Sequence, residues 1–169
     1  MIIRPETASD FAEIGKITAA AFAPKPFSNG TEPAVIEALR QNDDLVLSLV
    51  AIEGSELVGQ ITFSEVKISG EHEGWFGLGP VAVRPDRQGE GIGAALIRAG
   101  LEYLREMDAA GCALVGNPDY YGRFGFKNQC GLEYAGLDAR VIQKLVLAGP
   151  DKAGALTYCQ SFERAAKGG

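Results

Sequence analysis

One stretch constrains this chain more than any other: Val81-Ala82-Val83-Arg84-Pro85-Asp86-Arg87-Gln88-Gly89-Glu90-Gly91-Ile92-Gly93-Ala94-Ala95-Leu96. An apolar strand ends, a short polar turn follows, and closely spaced glycines open a strongly amphipathic helix. The first N–H groups of a helix lack intrahelical partners, its dipole is positive there, and glycine admits a phosphate against the backbone. A segment of this kind builds an anion site, and the ligand that suits it carries a phosphate or a pyrophosphate.

Two common phosphate motifs fit less well. Gly89, Gly91 and Ala94 satisfy the spacing G-x-G-x-x-G/A of a dinucleotide fingerprint. That motif, however, sits in the tight turn directly after the first strand of a parallel sheet. Here the polar turn 84–88 intervenes and a hairpin precedes it. A nicotinamide-dependent oxidoreductase would also need an acidic residue at a strand end about 20 residues on. The segment there is Asp108-Ala109-Ala110-Gly111-Cys112, where Asp108 precedes the strand. No Gly-Lys-Ser/Thr occurs anywhere in the chain, which excludes a Walker A loop.

The remaining periodicities sketch the fold. Residues 2–4 read as a strand. Thr7 and Asp10 form a capping pair that opens a helix over 8–22, with Phe11, Ile14, Ile17 and Ala21 as its apolar face. A loop over 23–30 leads to a second helix from Thr31, burying Val35, Ile36 and Leu39. Runs at 45–52 and 57–68 are joined at Gly54-Ser55 as a hairpin, with Ile61 and Phe63 on one face. A third strand covers 75–83. The best helix spans 92–107, with Ile92, Leu96, Ala99, Tyr103 and Met107 as its stripe and Gly111 as its stop. A buried strand at 112–115, a short helix or turn at 118–124, and strands at 141–147 and 155–159 complete the reading. The fold class is α/β in the α+β sense: a mixed, mostly antiparallel twisted sheet flanked by helices, in a single domain over 1–169.

Composition narrows the function. The chain has 22 glycines in 169 residues, roughly twice the ordinary share of about 7%. Several of them crowd into 70–93 and 111–131, where backbone is expected to do chemistry. The net charge is −6 and no run of Lys or Arg appears, which argues against nucleic acid and mildly favours a cationic acceptor. Cys112, Cys130 and Cys159 cannot all pair and lack CxxC spacing, so they read as reduced and cytoplasmic, with no metal site. No signal peptide or membrane span is expected.

The motif words point to a family. Gln88-x-x-Gly91-x-Gly93 after a Val-x-Val strand resembles the acetyl-CoA signature of the GNAT superfamily of N-acetyltransferases. Leu78-Gly79-Pro80-Val81-Ala82-Val83 and Asp119-Tyr120-Tyr121-Gly122-Arg123-Phe124-Gly125-Phe126 are similar to that family's neighbouring segments, in the same order. The resemblance covers 2–126 and is loose over the last forty residues. It implies central strands that splay into a V, with acetyl-CoA as co-substrate and no metal. It also implies a primary amine acceptor, on a small molecule or a peptide, that attacks the thioester directly. A non-catalytic module that senses acyl-CoA is the alternative on the same fold.

The resemblance further implies roles for single residues. The amide of Val81 would meet the acetyl carbonyl, the backbone of Val83 the pantetheine, and the amides of Gln88, Gly89, Gly91, Gly93 and Ala94 the pyrophosphate. Pro80, with Gly79 beside it, reads as an edge or a bulge. Tyr121, at the tyrosine of Tyr-x-x-x-Gly-Phe, would sit near the CoA sulfur as general acid; Tyr120 falls one residue out of the pattern. The position where some members carry a basic glutamate is Gly77, which leaves Glu71, His72 and Glu73 upstream, or a water, to take the proton. Glu32, Glu37, Asp43 and Asp44 are candidate attractors for a cationic acceptor. Leu145, Leu147 and Leu156 are candidates for a homodimer contact through the C-terminal strands.

Overall fold

The computed structural model of the chain describes residues 1–168. In chain order its elements are β1 (Ile2–Pro5), α1 (Phe11–Phe22), α2 (Glu32–Gln41), β2 (Leu45–Glu53), β3 (Glu56–Ile68), β4 (Trp75–Val83) and α3 (Ile92–Glu106). They continue with β5 (Gly111–Val115), α4 (Pro118–Tyr121), β6 (Lys127–Asn128), β7 (Leu132–Glu133), β8 (Ile142–Val146), β9 (Gly154–Tyr158) and α5 (Gln160–Ala166).

The strands lie in the order β1-β2-β3-β4-β5-β8-β6, with β9 added to the far end of β3 and β7 to β9. Among the described residues only the β4–β5 and β7–β9 pairs are parallel, so the sheet is mixed and mostly antiparallel. The length of β3 organises the rest. Residues 56–65 of β3 pair with β2 on one edge and β4 on the other, and Val66 to Ile68 hold β9.

Helices cover both faces. On one, α3 packs Ile92, Leu96, Ile97, Leu101 and Leu104 against Leu49, Ala51, Ile61, Phe63 and Phe76. Each large side chain so buried contributes about 2 kcal/mol. On the other face, Ile14, Ile17 and Ala21 of α1 and Ile36 of α2 close over Val50, Leu57 and Ala82. The stripe of α3 is therefore rotated from the expected one. Ala99 and Tyr103 are half-buried and Met107 is exposed, while Gly100 lies inside. The cause is Phe63: its ring would stand 2.4 Å from a Cβ at position 100, so the helix can seat there only on a glycine. Phe11 likewise belongs to the surface, with the Arg40 guanidinium 3.7 Å above its ring.

The end of α3 also differs from expectation. Asp108, at φ +56°, turns the chain, and the Ala109 N–H donates back to the Leu104 carbonyl at 3.0 Å. That is a Schellman-type stop. Gly111 is instead the first residue of β5, where the Trp75 ring leaves no room for a Cβ. At the start of the chain, the expected pairing holds. The Thr7 N–H donates to Asp10 Oδ2 at 2.7 Å, and Arg4 grips the same carboxylate at 2.8 and 3.1 Å.

Candidate functional site

The parallel ladder between β4 and β5 is short. Trp75 pairs with Gly111, Phe76 with Cys112 and Gly77 with Ala113, and there the pairing ends. β4 runs on to Val83 beside β3, and β5 runs on to Val115 beside β8. The two central strands thus part beyond Gly77, each held by its other neighbour. A bulge sharpens the parting. Val81 pairs with Ile61 and Leu78 with Phe63, so Gly79 and Pro80 together face Thr62 alone. The extra residue bends the strand and increases its twist, and Pro80 removes one donor from the ladder.

At the Val83 end of this gap stands the start of α3. Gly89 and Gly91 have φ of +82° and +85°, the left-handed region that glycine alone enters cheaply. The first helical bond runs from the Ala95 N–H to the Gly91 carbonyl at 3.0 Å. Among the described residues, no acceptor takes the amides of 88–94. An ideal Cβ on Gly89 or Gly91 meets nothing within 4 Å, so the space above them is open. This is a cradle of unpaired donors at a helix N-terminus, the arrangement that suits a pyrophosphate. The Gln88 side chain turns the other way and donates to the Val83 carbonyl at 3.1 Å.

The turn is braced by ion pairs. Arg84 bonds Asp86 at 2.7 Å and Glu56 at 3.1 Å, while Arg87 bonds Glu90 at 3.0 Å and also reaches Glu53. These charges are largely solvated and screened by salt; their effect is to hold the turn against the β2–β3 hairpin.

On the β5 side, Asn117 caps α4 by accepting the Asp119 N–H at 2.9 Å, with Pro118 at the first helical position. The Asn117-Pro118 dipeptide is the local signal of this cap. It presents two tyrosines differently. The Tyr121 ring lies over Gly116, where a Cβ would stand 2.6 Å from its Cε2, and among Tyr120, Phe124 and Phe126. Burial pushes its phenol well above the ordinary tyrosine range, with Tyr120 and Cys112 adding to the effect. Tyr121 is therefore a neutral O–H donor at physiological pH. Tyr120 instead reaches across to α3: its hydroxyl is 3.1 Å from the Cβ position of Gly93.

The structure does not bring the expected proton acceptors to the gap. Glu71, His72 and Glu73 lie in the turn before β4, at the opposite end of that strand from Val81. Glu73 is paired with Lys152, and His72 sits between the Val66 carbonyl, at 3.0 Å, and Glu65, at 3.5 Å. Among the acidic residues of the second helix and its ends, Glu32 accepts from Ser28, Glu37 from Gln41 and Asp44 from Ser161. Leu156 is buried in the core beneath β9 rather than offered at a surface.

Two grooves of about 470 and 480 Å³ lie elsewhere. One separates α1 from α2 around Phe11, Pro33 and Arg40; the other lies beside β8 around Lys127, Lys144 and Asp151. Neither is lined by Val81, Tyr121 or the glycine turn. Among the described residues no cluster of three or more His, Cys, Asp or Glu could hold a metal, and no helix is long and apolar enough to cross a membrane.

Comparison with known proteins agrees with this geometry. Residues 2–128 match a family model described as an acetyltransferase (GNAT) domain. The chain is 33% identical over 128 residues to the uncharacterized N-acetyltransferase YhbS of Escherichia coli K12, covering 75% of this chain and 74% of that protein. It is similar to the crystal structure of a GNAT family acetyltransferase from Brucella melitensis in complex with acetyl-CoA. That match has 46% identity, a TM-score of 0.85, and coverage of 95% of this chain and 97% of the other. The crystal structure of YhbS from Escherichia coli in complex with CoA superposes with a TM-score of 0.87 at 28% identity, covering 96% and 92% of the two chains.

Proposed function

The chain belongs to the GNAT acetyltransferase family and is an N-acetyltransferase, and on that footing we propose that it moves the acetyl group of acetyl-CoA to a primary amine of a small molecule or peptide. The observation that carries this reading is the conjunction of an open slot beyond Gly77 with unpaired amides at 88–94 at its mouth. Support for the cofactor comes from the relative of 46% identity that was crystallised with acetyl-CoA.

In this reading the amides of Gln88, Gly89, Gly91, Gly93 and Ala94 take the pyrophosphate. The backbone of Val83 lies along the pantetheine, and the thioester sits in the slot at the bulge. The amine lone pair attacks the carbonyl carbon, the new C–N bond forms, and the oxyanion is held by the Val81 amide until the C–S bond breaks. A fixed backbone donor of this kind needs no reorganisation as charge develops. Holding amine and thioester in one slot supplies further acceleration by proximity. The departing thiolate takes its proton from the Tyr121 hydroxyl, and the proton lost from the amine returns through solvent.

The test is release of free CoA thiol from acetyl-CoA with a panel of primary amines, wild type beside Tyr121→Phe. Acceptor-dependent thiol release that the variant loses supports the reading. Thiol release that no amine accelerates would overturn it.

A further inference from the structure

One fully buried polar side chain lies behind the slot, on the far side of β5. Gln143 of β8 pairs with Leu114 of β5, so its side chain shares the sheet face that α3 covers, where Leu114, Phe126 and Tyr121 also pack. It is 0% exposed, and its Oε1 has no partner among the described residues. Burying an amide with an oxygen left over is costly, and an apolar side chain of similar size would pack there without that cost. What the Gln143 amide does make is a bond to backbone: its Nε2 donates to the Gly116 carbonyl at 3.0 Å.

Gly116 is the joint between β5 and α4. The β5–β8 ladder ends at Val115 and Ile142, and the Gly116 N–H then donates to the Val141 carbonyl at 2.9 Å. With Gln143 on its carbonyl, both backbone polar atoms of Gly116 are held from β8 and the residue before it. Asn117 follows, and its carbonyl accepts the Tyr121 N–H at 3.0 Å. The side chain of Tyr121 folds back on the same joint. A Cβ on Gly116 would stand 2.6 Å from Tyr121 Cε2 and 3.5 Å from Leu114 Cδ1. Backbone and ring of Tyr121 are thus both referred to the Gly116 joint, and Gln143 fixes that joint. The other neighbours of the ring, Tyr120, Phe124 and Phe126, meet it edge-on or tilted, with centroids 5.0, 6.3 and 6.1 Å away. Apolar contacts of that kind are non-directional; they confine the ring without aiming its hydroxyl.

We propose that Gln143 is a positioning residue for acetyl transfer: by fixing the Gly116 peptide it holds the Tyr121 hydroxyl where it protonates the departing thiolate. The inference rests on the acetyl-transfer reading above, in which Tyr121 is the acid. The step it serves is collapse of the tetrahedral intermediate. The C–S bond breaks, sulfur takes the bonding pair and then the phenol proton, and solvent reprotonates the phenolate. Gln143 itself exchanges no proton. A misplacement of about 1 Å in such a donor costs up to ~100-fold in rate, so a bond to the seat of the acid is enough to govern kcat.

The test is a double-mutant cycle on kcat, with acetyl-CoA affinity by calorimetry and melting temperature beside it. Gln143→Met keeps the length of the side chain and removes the donor; Tyr121→Phe keeps the ring and removes the hydroxyl. Gln143→Met is expected to lower kcat about tenfold in the wild-type background and less than about twofold in Tyr121→Phe. Acetyl-CoA affinity and melting temperature should stay close to wild type. A side chain that merely fills the core would lower the melting temperature and change kcat by one factor in both backgrounds, and that result would overturn the proposal. So would a kcat that Gln143→Met leaves unchanged. Gly116→Ala sets a methyl in the place of the ring and carries the same cycle if Gln143→Met does not fold. A kcat loss that vanishes in Tyr121→Phe supports the seat, and an equal loss in both backgrounds overturns it. Failures of the underlying reading look different. If Tyr121→Phe alone leaves kcat unchanged, the acid assignment falls and this proposal with it, and a wild type that does not bind acetyl-CoA overturns the cofactor site itself.

Discussion

The ring of Tyr158 lies so close on Gly77 that a Cβ at position 77 would stand 2.6 Å from Tyr158 Cε2. A glycine in the middle of a central strand is costly to order, and here it is what allows β9 to close over the start of the slot. Gly77→Val should therefore lower the melting temperature by several °C, since overpacking a filled site costs about 1–3 kcal/mol. The double variant Gly77→Val/Tyr158→Ala should recover part of that loss. Thermal melts of the two proteins check it, and equal losses in both would refute the contact.

Tyr121 is expected to act through its hydroxyl alone. Its ring is held by Phe124, Phe126 and Tyr120, so Tyr121→Phe should melt close to wild type. Its kcat should fall by about 100-fold, within the range of general-acid effects. The direction of its pKa adds a pH test. A phenol whose pKa is raised by burial stays protonated above the ordinary tyrosine value near ~10, so activity should not decline on the alkaline side below that pH. A decline near pH ~8 that persists in Tyr121→Phe would give the acid's role to another group, and one that Tyr121→Phe abolishes would contradict the raised phenol.

Gly91 has φ +85° and opens α3. Gly91→Ala must strain the backbone, by about 1–2 kcal/mol for a left-handed alanine, or rotate the amides out of the cradle. Acetyl-CoA affinity should fall roughly tenfold by calorimetry. Gly122→Ala, at a glycine with ordinary φ and open space around it, should leave affinity as it was.

These residues were unequally legible in the sequence. The bounds of β4 and the start of α3 follow from local patterns, an apolar run and then glycines, and the structure places them at 75–83 and 92. The bulge was readable in Gly79-Pro80 for the same reason: proline and glycine act on their own backbone. What local pattern misses is a glycine whose purpose lies across the fold. Gly100 and Gly111 interrupt a hydrophobic reading, yet they are seats for the Phe63 and Trp75 rings. The same blindness hid the contact of Tyr158 on Gly77, because the two stand eighty-one residues apart in the chain. Helix α5 and the two-residue strands β6 and β7 carry too little periodicity to be read at all.

Asp10 anchors the first turn by accepting Arg4 and the Thr7 N–H. Its pKa is held below the ordinary aspartate range, first by Arg4. A depressed carboxylate stabilises fully above its unfolded pKa, near ~4, and loses that contribution as pH falls through the folded value. Asp10→Asn should therefore melt roughly 2–4 °C lower near pH ~7. The gap should close in strong acid. Melting curves across that range check it, and a gap that widens on acidification would contradict the pairing.

The most direct measurement of the central claim is a thermal-shift titration with acetyl-CoA, CoA, NADH and NADPH, because a ligand that binds the native state raises its melting temperature. If the glycine turn and the slot beyond Gly77 form an acetyl-CoA site, both CoA species will stabilise the wild type, Gly91→Ala will need more of each, and the nicotinamides will do nothing. Stabilisation by a nicotinamide alone would contradict that account of the glycine turn, and the roles given to Val81 and Tyr121 would fall with it.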